Sequence, residues 1–252
     1  MRPRRVVLLA AGLIALAVGP AHAAYEVAAV ADAGTLTGVV RFTGRPPRAA
    51  PGVPKPGDVC GDRPASEALV VGADGGVRGS VVRVERVRAG KPGAGELLLD
   101  SVRCAFVSHV SVAAAGDRLR VRNSDGTLHA ARGVSGRRTV FSVALPHRGQ
   151  VVDVTRSLAT PGVIRVLCEA HPHMLGWIVV HDSPYVAVTD ERGSFRIDGV
   201  PPGTYTVRMW HEGFRSQGVD AEGRPRVEEP HTTSRDITIA PRAVATVEFE
   251  LK

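Results

Sequence analysis

The sequence has little of what most enzymes and carbohydrate binders rely on. Aromatic residues make up only 4% of the 252, too few for the exposed rings on which a sugar is usually held. No Gly-x-Ser-x-Gly, His-Glu-x-x-His, Gly-x-Gly-x-x-Gly or phosphate-cradling Gly-x-x-x-x-Gly-Lys occurs. Hydrolase, metalloprotease and nucleotide signatures are therefore missing, and the chain reads as a non-enzyme. No basic run is interleaved with aromatics, so nucleic acid is not indicated. After residue 19 no apolar run approaches the roughly 20 residues that cross a bilayer as a helix. Long helical periodicity is scarce as well.

The apolar run that does exist is at the start. Met1-Arg2-Pro3-Arg4-Arg5 is followed by apolar residues 6–19 and by Ala21-His22-Ala23. A basic stretch, a short apolar stretch and an Ala-x-Ala site make a cleaved secretory signal over residues 1–23. The expected location is the periplasm or outside the cell, an oxidising compartment. The formal charge of +7 falls to about +4 without Arg2, Arg4 and Arg5, a mild excess that favours an acidic docking partner.

The remaining chain is rich in short Val, Thr and Ile runs broken by 28 Gly and 18 Pro. That is the pattern of an all-β chain of sandwich or Greek-key type. Thr35–Phe42, Gly79–Val87, Gly162–Leu167, Gly176–Val180 and Ala243–Leu251 read as strands. Residues 24–34 read as a small-residue linker, residues 44–56 with their prolines as an extended segment, and residues 90–95 as a loop.

One loop stands out. Leu167-Cys168-Glu169-Ala170-His171-Pro172-His173-Met174 joins two of these strands. It carries a thiol, two imidazoles and a thioether within seven residues. Thiolate, two imidazoles and a weak thioether are the donors of a mononuclear blue-copper site. About 40 residues upstream, a strand and a turn lead to His129 through Asn123-Ser124-Asp125-Gly126-Thr127-Leu128.

These two stretches together resemble the cupredoxins, with the Cys-x-x-His-x-x-Met spacing of amicyanin. The resemblance covers residues 96–182 and implies copper held by His129, Cys168, His171 and Met174. Two departures accompany it. Ala130 stands where the family has a polar residue tying the ligand loops together. Glu169 and Ala170 replace a small hydroxyl residue and a proline. His173 is an additional imidazole that can compete with His171 or take a second ion, and His109 is another candidate extra ligand. Zinc is the competing metal, since Cys and His also suit it, but thioether favours copper.

Three cysteines are an odd number; in an oxidising compartment Cys60 and Cys104 can pair, which leaves Cys168 over. Pairing either of them with Cys168 instead would remove the site.

A second resemblance lies downstream. Thr189-Asp190-Glu191-Arg192-Gly193-Ser194-Phe195-Arg196-Ile197-Asp198-Gly199-Val200-Pro201-Pro202-Gly203-Thr204-Tyr205-Thr206-Val207 is similar to the carboxypeptidase-regulatory-like, transthyretin-like β-sandwich, a module without catalytic groups. Thr35–Phe42 is similar to the first strand of that module. Trp210-His211-Glu212 reads as a hydrogen-bonded strand end.

The expected organisation is a signal over 1–23, a β segment over 24–95 that can complete either sandwich, a cupredoxin-like domain over 96–182 and a regulatory-like sandwich over 183–252. The arrangement resembles methylamine utilisation proteins. It implies an exported type 1 copper protein that carries electrons to or from a redox protein, such as a periplasmic dehydrogenase or cytochrome, with Leu175 and Trp177 either as an apolar docking rim or as part of the core. The alternatives are a copper-handling module without a redox partner, and a glycan- or protein-binding sandwich in which the metal is structural.

Overall fold

The computed structural model describes residues 25–47, 60, 66–221 and 223–252. The secretory signal expected over 1–23 and most of the proline-rich segment lie outside the described residues. The chain is all-β. The 3-10 turn Thr155–Leu158 is the one helical element among the described residues.

The strands form two sandwiches. In one, a sheet ordered Val186–Val188, Val81–Val84, Gly203–His211, His231–Ile239 faces a sheet ordered Ser194–Val200, Gly34–Phe42, Val244–Leu251. Alternation decides which side chains point inward. Phe195 and Ile197 of one strand, and Val247, Phe249 and Leu251 of another, are buried while their neighbours are exposed. They meet Leu36, Val40, Val82, Val84, Val207 and Met209 in one core. Each such side chain contributes roughly 1.5–3 kcal/mol when fully buried. The Thr35–Phe42 segment thus lies at the centre of this sandwich, parallel to Val244–Leu251.

The Asp190-x-x-Gly193 turn closes as its residues require. Gly193 has φ +72°, and Asp190 Oδ1 accepts the amides of Arg192 and Ser194 at 2.9 and 2.8 Å. An aspartate that bonds its own following backbone, with glycine free to take positive φ, fixes this turn.

In the other sandwich, a sheet ordered Val151–Asp153, Arg118–Asn123, Glu96–Val102, Ala105–Val107 faces one ordered Arg138–Leu145, His129–Ser135, Gly162–Cys168, Leu175–His181, Val110–Ala114. Leu99, Leu119, Val121, Leu145, Ile164, Val166, Ile178 and Val180 fill it. A third, small cluster of Val81, Val110, Val179 and Trp210 joins the two sandwiches.

Several expectations shift in extent. The Gly79–Val87 strand is confined to Val81–Val84, because Arg86 turns at φ +61°. The linker over 24–34 holds a two-residue strand, Glu26–Val27, that pairs with Ala89–Gly90 at the start of the expected loop.

Candidate metal centre

The five-stranded sheet brings the sequence candidates together. Gly162–Cys168 runs antiparallel to His129–Ser135, with Ala131 opposite Cys168. Cys168 follows Ile164 and Val166 at a spacing of two, so its thiol points into the core. His129 shares the inward phase of Ala131 and Gly133. The loop after Cys168 turns back by a 3.0 Å bond from Met174 N to His171 O and enters the Leu175–His181 strand.

His129 Nδ1 is 3.8 Å from Cys168 Sγ, and His171 Nδ1 is 3.6 Å from it. The three donor atoms lie within 4.8 Å of one another. His129 and Cys168 are fully buried, Met174 is 2% exposed and His171 9%. Met174 packs in the same core cluster as Cys168. A thiolate bond of about 2.3 Å and an imidazole bond of about 2.05 Å, at angles between tetrahedral and trigonal, separate sulfur from nitrogen by roughly 3.6–3.8 Å. The spacing therefore fits one ion held by all three.

The second nitrogen of His129 is also accounted for. His129 Nε2 bonds Asp125 Oδ2 at 2.9 Å, which leaves Nδ1 turned toward the sulfur. A carboxylate behind a ligand histidine fixes its tautomer and ring orientation. Asp125 is itself fixed, accepting the amides of Arg103 and Cys104 at 2.7 and 2.9 Å. Burial raises the Asp125 carboxyl, but the Cys104 and Arg103 amides and His129 outweigh it and hold it below the usual range.

Burial likewise pushes the Cys168 thiol up. The His129 ring and the amides of Ala130, Ala170 and His171 overcome that and bring it below the ordinary thiol value. Burial pushes His129 down, and Cys168 and Asp125 together lift it above the ordinary value. These contacts favour the thiolate of Cys168, the form that binds metal.

Ala130 ties the His129 and Cys168 segments together through its backbone. Its N–H points at Cys168 Sγ from 3.5 Å, and its carbonyl accepts Glu169 N at 2.8 Å. A polar side chain at that position is not needed for this link.

The Cys60–Cys104 disulfide is present, and Cys168 is a free, buried cysteine. The bridge stands beside the cluster, with sulfur atoms close to His171 and to His129. Its two sulfurs are bonded to each other, so the thiolate-bearing set is His129, Cys168 and His171. His173 Nε2 bonds Cys104 O at 3.2 Å. His109 lies elsewhere: its Nδ1 contacts Leu175 O at 3.0 Å and its Nε2 bonds Glu212.

Of the two places expected for Trp177, docking rim or core, its contacts are those of a junction within the chain. Its indole donates to Glu212 Oε2 at 2.7 Å, and its ring meets Trp210 edge-on with centroids 5.6 Å apart. It is half-buried against the chain's own C-terminal sandwich. The physical reason is that an indole carries both apolar area and a donor, and the end of the Gly203–His211 strand supplies partners for both.

Residues 178–252 match the carboxypeptidase regulatory-like domain family. Comparison with the curated proteins finds no match. Among solved structures, a Cu-containing nitrite reductase from Thermus scotoductus SA-01 is 24% identical over 34% of this chain and 22% of its own, with a TM-score of 0.31. A pseudoazurin from Sinorhizobium meliltoi is 23% identical over 34% of this chain and 73% of its own, at 0.28. A purple cupredoxin from Nitrosopumilus maritimus is 15% identical over 34% of this chain and 99% of its own, at 0.29. This chain spans about a fifth of the nitrite reductase. Each likeness covers a part of the chain; what the centre can do follows from its own residues.

Two residues around the centre carry no sequence signal for their roles. Asp125 has the look of a turn residue, and Arg224 that of one cation among many. Arg224 Nη1 donates to Cys168 O at 3.3 Å and Nη2 to Glu169 Oε2 at 2.7 Å.

Proposed function

We propose that the chain is an exported type 1 copper protein that carries electrons, with copper held by Cys168, His129, His171 and Met174. The observation that carries this reading is the spacing of Cys168 Sγ, 3.8 and 3.6 Å from the Nδ1 atoms of His129 and His171, in a buried cluster that also contains Met174. A bound copper ion supplies one-electron chemistry between Cu(I) and Cu(II).

The residues do the rest. Cys168 and His129 sit on paired strands and Asp125 locks the His129 ring, so the donor set is held in one geometry. A rigid donor set keeps reorganisation small when the charge changes. Burial keeps water from the thiolate. His171, the most exposed of the four, is the edge nearest an electron partner, and a redox protein making a small, transient interface is the partner class that suits it. Export is supported by the N-terminal signal pattern and by a disulfide, which persists in oxidising compartments.

The test is copper binding with its optical signature. One equivalent of Cu(II) should give an intense thiolate-to-copper band that ascorbate bleaches. Zinc is the competing occupant, because the spacing also fits a tetrahedral ion; a colourless protein with one tightly bound zinc would decide for it.

A further inference from the structure

The C-terminal sandwich sends a hairpin back over the ligand loop. Its strands, Ser216–Val219 and Pro225–Val227, are antiparallel, and Ser216–Val219 is exposed throughout. The turn between them is tight. Asp220 N bonds Arg224 O at 2.9 Å and Asp220 Oδ1 accepts Arg224 N at 2.8 Å; Gly223 has φ +76°. The turn aims one side chain at the other sandwich. Arg224 is 7% exposed, the one buried lysine or arginine among the described residues.

That buried guanidinium meets the Cys168 carbonyl and the Glu169 carboxylate at 3.3 and 2.7 Å. The other oxygen of Glu169 bonds Arg132, on the His129–Ser135 strand. Glu169 is therefore clamped between a cation from the cupredoxin-like sheet and one from the C-terminal hairpin. Beside the clamp a cleft of about 490 Å³ remains between hairpin and sheet, lined by Arg165, Leu167, Trp177, Trp210 and Glu228. Arginine suits such a place because its planar fork serves two acceptors at once and keeps its charge.

We propose that Arg224 is a positioning residue through which the C-terminal sandwich holds the Cys168 loop and sets the reduction potential of the metal bound there. The inference rests on the copper reading for its second half only. Holding the loop is a property of the polypeptide, since the Cys168 carbonyl and the Glu169 carboxylate flank the peptide that leads out of the ligand. Setting the potential follows from charge. A fixed cation near the thiolate favours the less positive metal state, so it raises the potential, and the Glu169 carboxylate works the other way.

The experiment uses the full chain with Arg224→Gln, Arg224→Lys and Glu169→Gln. In the metal-free protein, hydrogen exchange of the amides in residues 168–174 should accelerate about tenfold or more in Arg224→Gln, because bonds to charged groups are lost. The strand Gly34–Phe42 should exchange as in the parent. Arg224→Lys keeps the charge but not the fork, so it should also loosen the loop; it replaces Arg224→Gln if that variant does not fold. An unchanged loop overturns the holding role. In the copper-loaded protein, the midpoint potential should fall in Arg224→Gln, rise in Glu169→Gln and stay at the parent value in Arg224→Lys. Potentials unmoved in both glutamine variants overturn the second half. If the parent takes up no copper, the function proposed above fails, and the exchange measurement still decides the role of Arg224.

Discussion

Trp177 Nε1 donates to Glu212 Oε2 across 2.7 Å, from a strand of the sandwich that carries Cys168 to the end of a strand of the C-terminal one. The other oxygen of Glu212 bonds His109, and the Glu212 side chain is 2% exposed. One buried carboxylate therefore satisfies a donor from a strand, Trp177, and one from the loop before Val110–Ala114, His109, across the junction. Glu212→Ala leaves both donors without it and opens a void. The expected loss is about 3–5 kcal/mol, the size seen when one partner of a buried pair is removed. Urea unfolding, followed by tryptophan fluorescence, reads it. Glu212→Gln, which retains the shape and an acceptor, should lose less; equal losses would mean that the charge of the carboxylate, not its packing, carries the contact.

The same pair makes stability depend on pH. Burial alone would push His109 down, but the hydrogen bond and charge of Glu212, with help from Glu67 and the Leu175 carbonyl, raise it above its ordinary value of 6.5. A raised folded value means that the contribution is complete below about 6.5 and disappears as pH rises through the folded value. Buried His211 is pushed down by burial and has the opposite slope, so a difference measurement is needed. The stability gap between the parent and His109→Gln should be largest near pH 6 and shrink toward pH 9. A gap that widens with pH contradicts the assignment.

Asp125 does not reach the proposed metal, yet it sets the orientation of His129. Asp125→Asn should weaken copper binding by roughly 10–100-fold, as losing a carboxylate behind a ligand histidine typically does. Competition with a Cu(I) chelator measures this. Unchanged affinity would show that the strand alone orients the ring.

The contrast between Cys168 and Arg224 shows what a linear sequence carries. Cys168, His171 and Met174 are legible because three donors on one strand-to-strand loop leave a fixed spacing, and the strands on either side announce themselves by Val and Ile content. His129 is legible as a histidine after a turn, once a second imidazole is sought. Asp125 is hidden, because Asn123 to Gly126 is good turn chemistry on its own, and nothing in it says that the carboxylate faces His129. Arg224 is hidden for a different reason. It is 56 residues from Cys168, and only the fusion of two sandwiches brings it there. Trp177 illustrates the same limit: an aromatic beside the loop suits a solvent-facing rim or a covered junction equally until the partner sheet is in view.

The Cys60–Cys104 bridge spans 44 residues and sits beside the His129, Cys168 and His171 cluster. Closing a loop of that length removes chain entropy worth about 4 kcal/mol in the simple model, and observed values are typically 2–4. The paired Cys60→Ser, Cys104→Ser variant should lose roughly that much in urea unfolding. A loss well under 1 kcal/mol would mean that the reduced chain is held in place by other contacts.

The central claim, a copper ion bound to the Cys168 thiolate, is tested most directly by the visible spectrum of the protein with one equivalent of Cu(II), set beside that of Cys168→Ser. The parent should show an intense charge-transfer band that bleaches with ascorbate and returns on reoxidation, and the serine variant should show no such band while unfolding at a similar urea concentration. The same band in both proteins, or no band in a parent that carries copper, would contradict it.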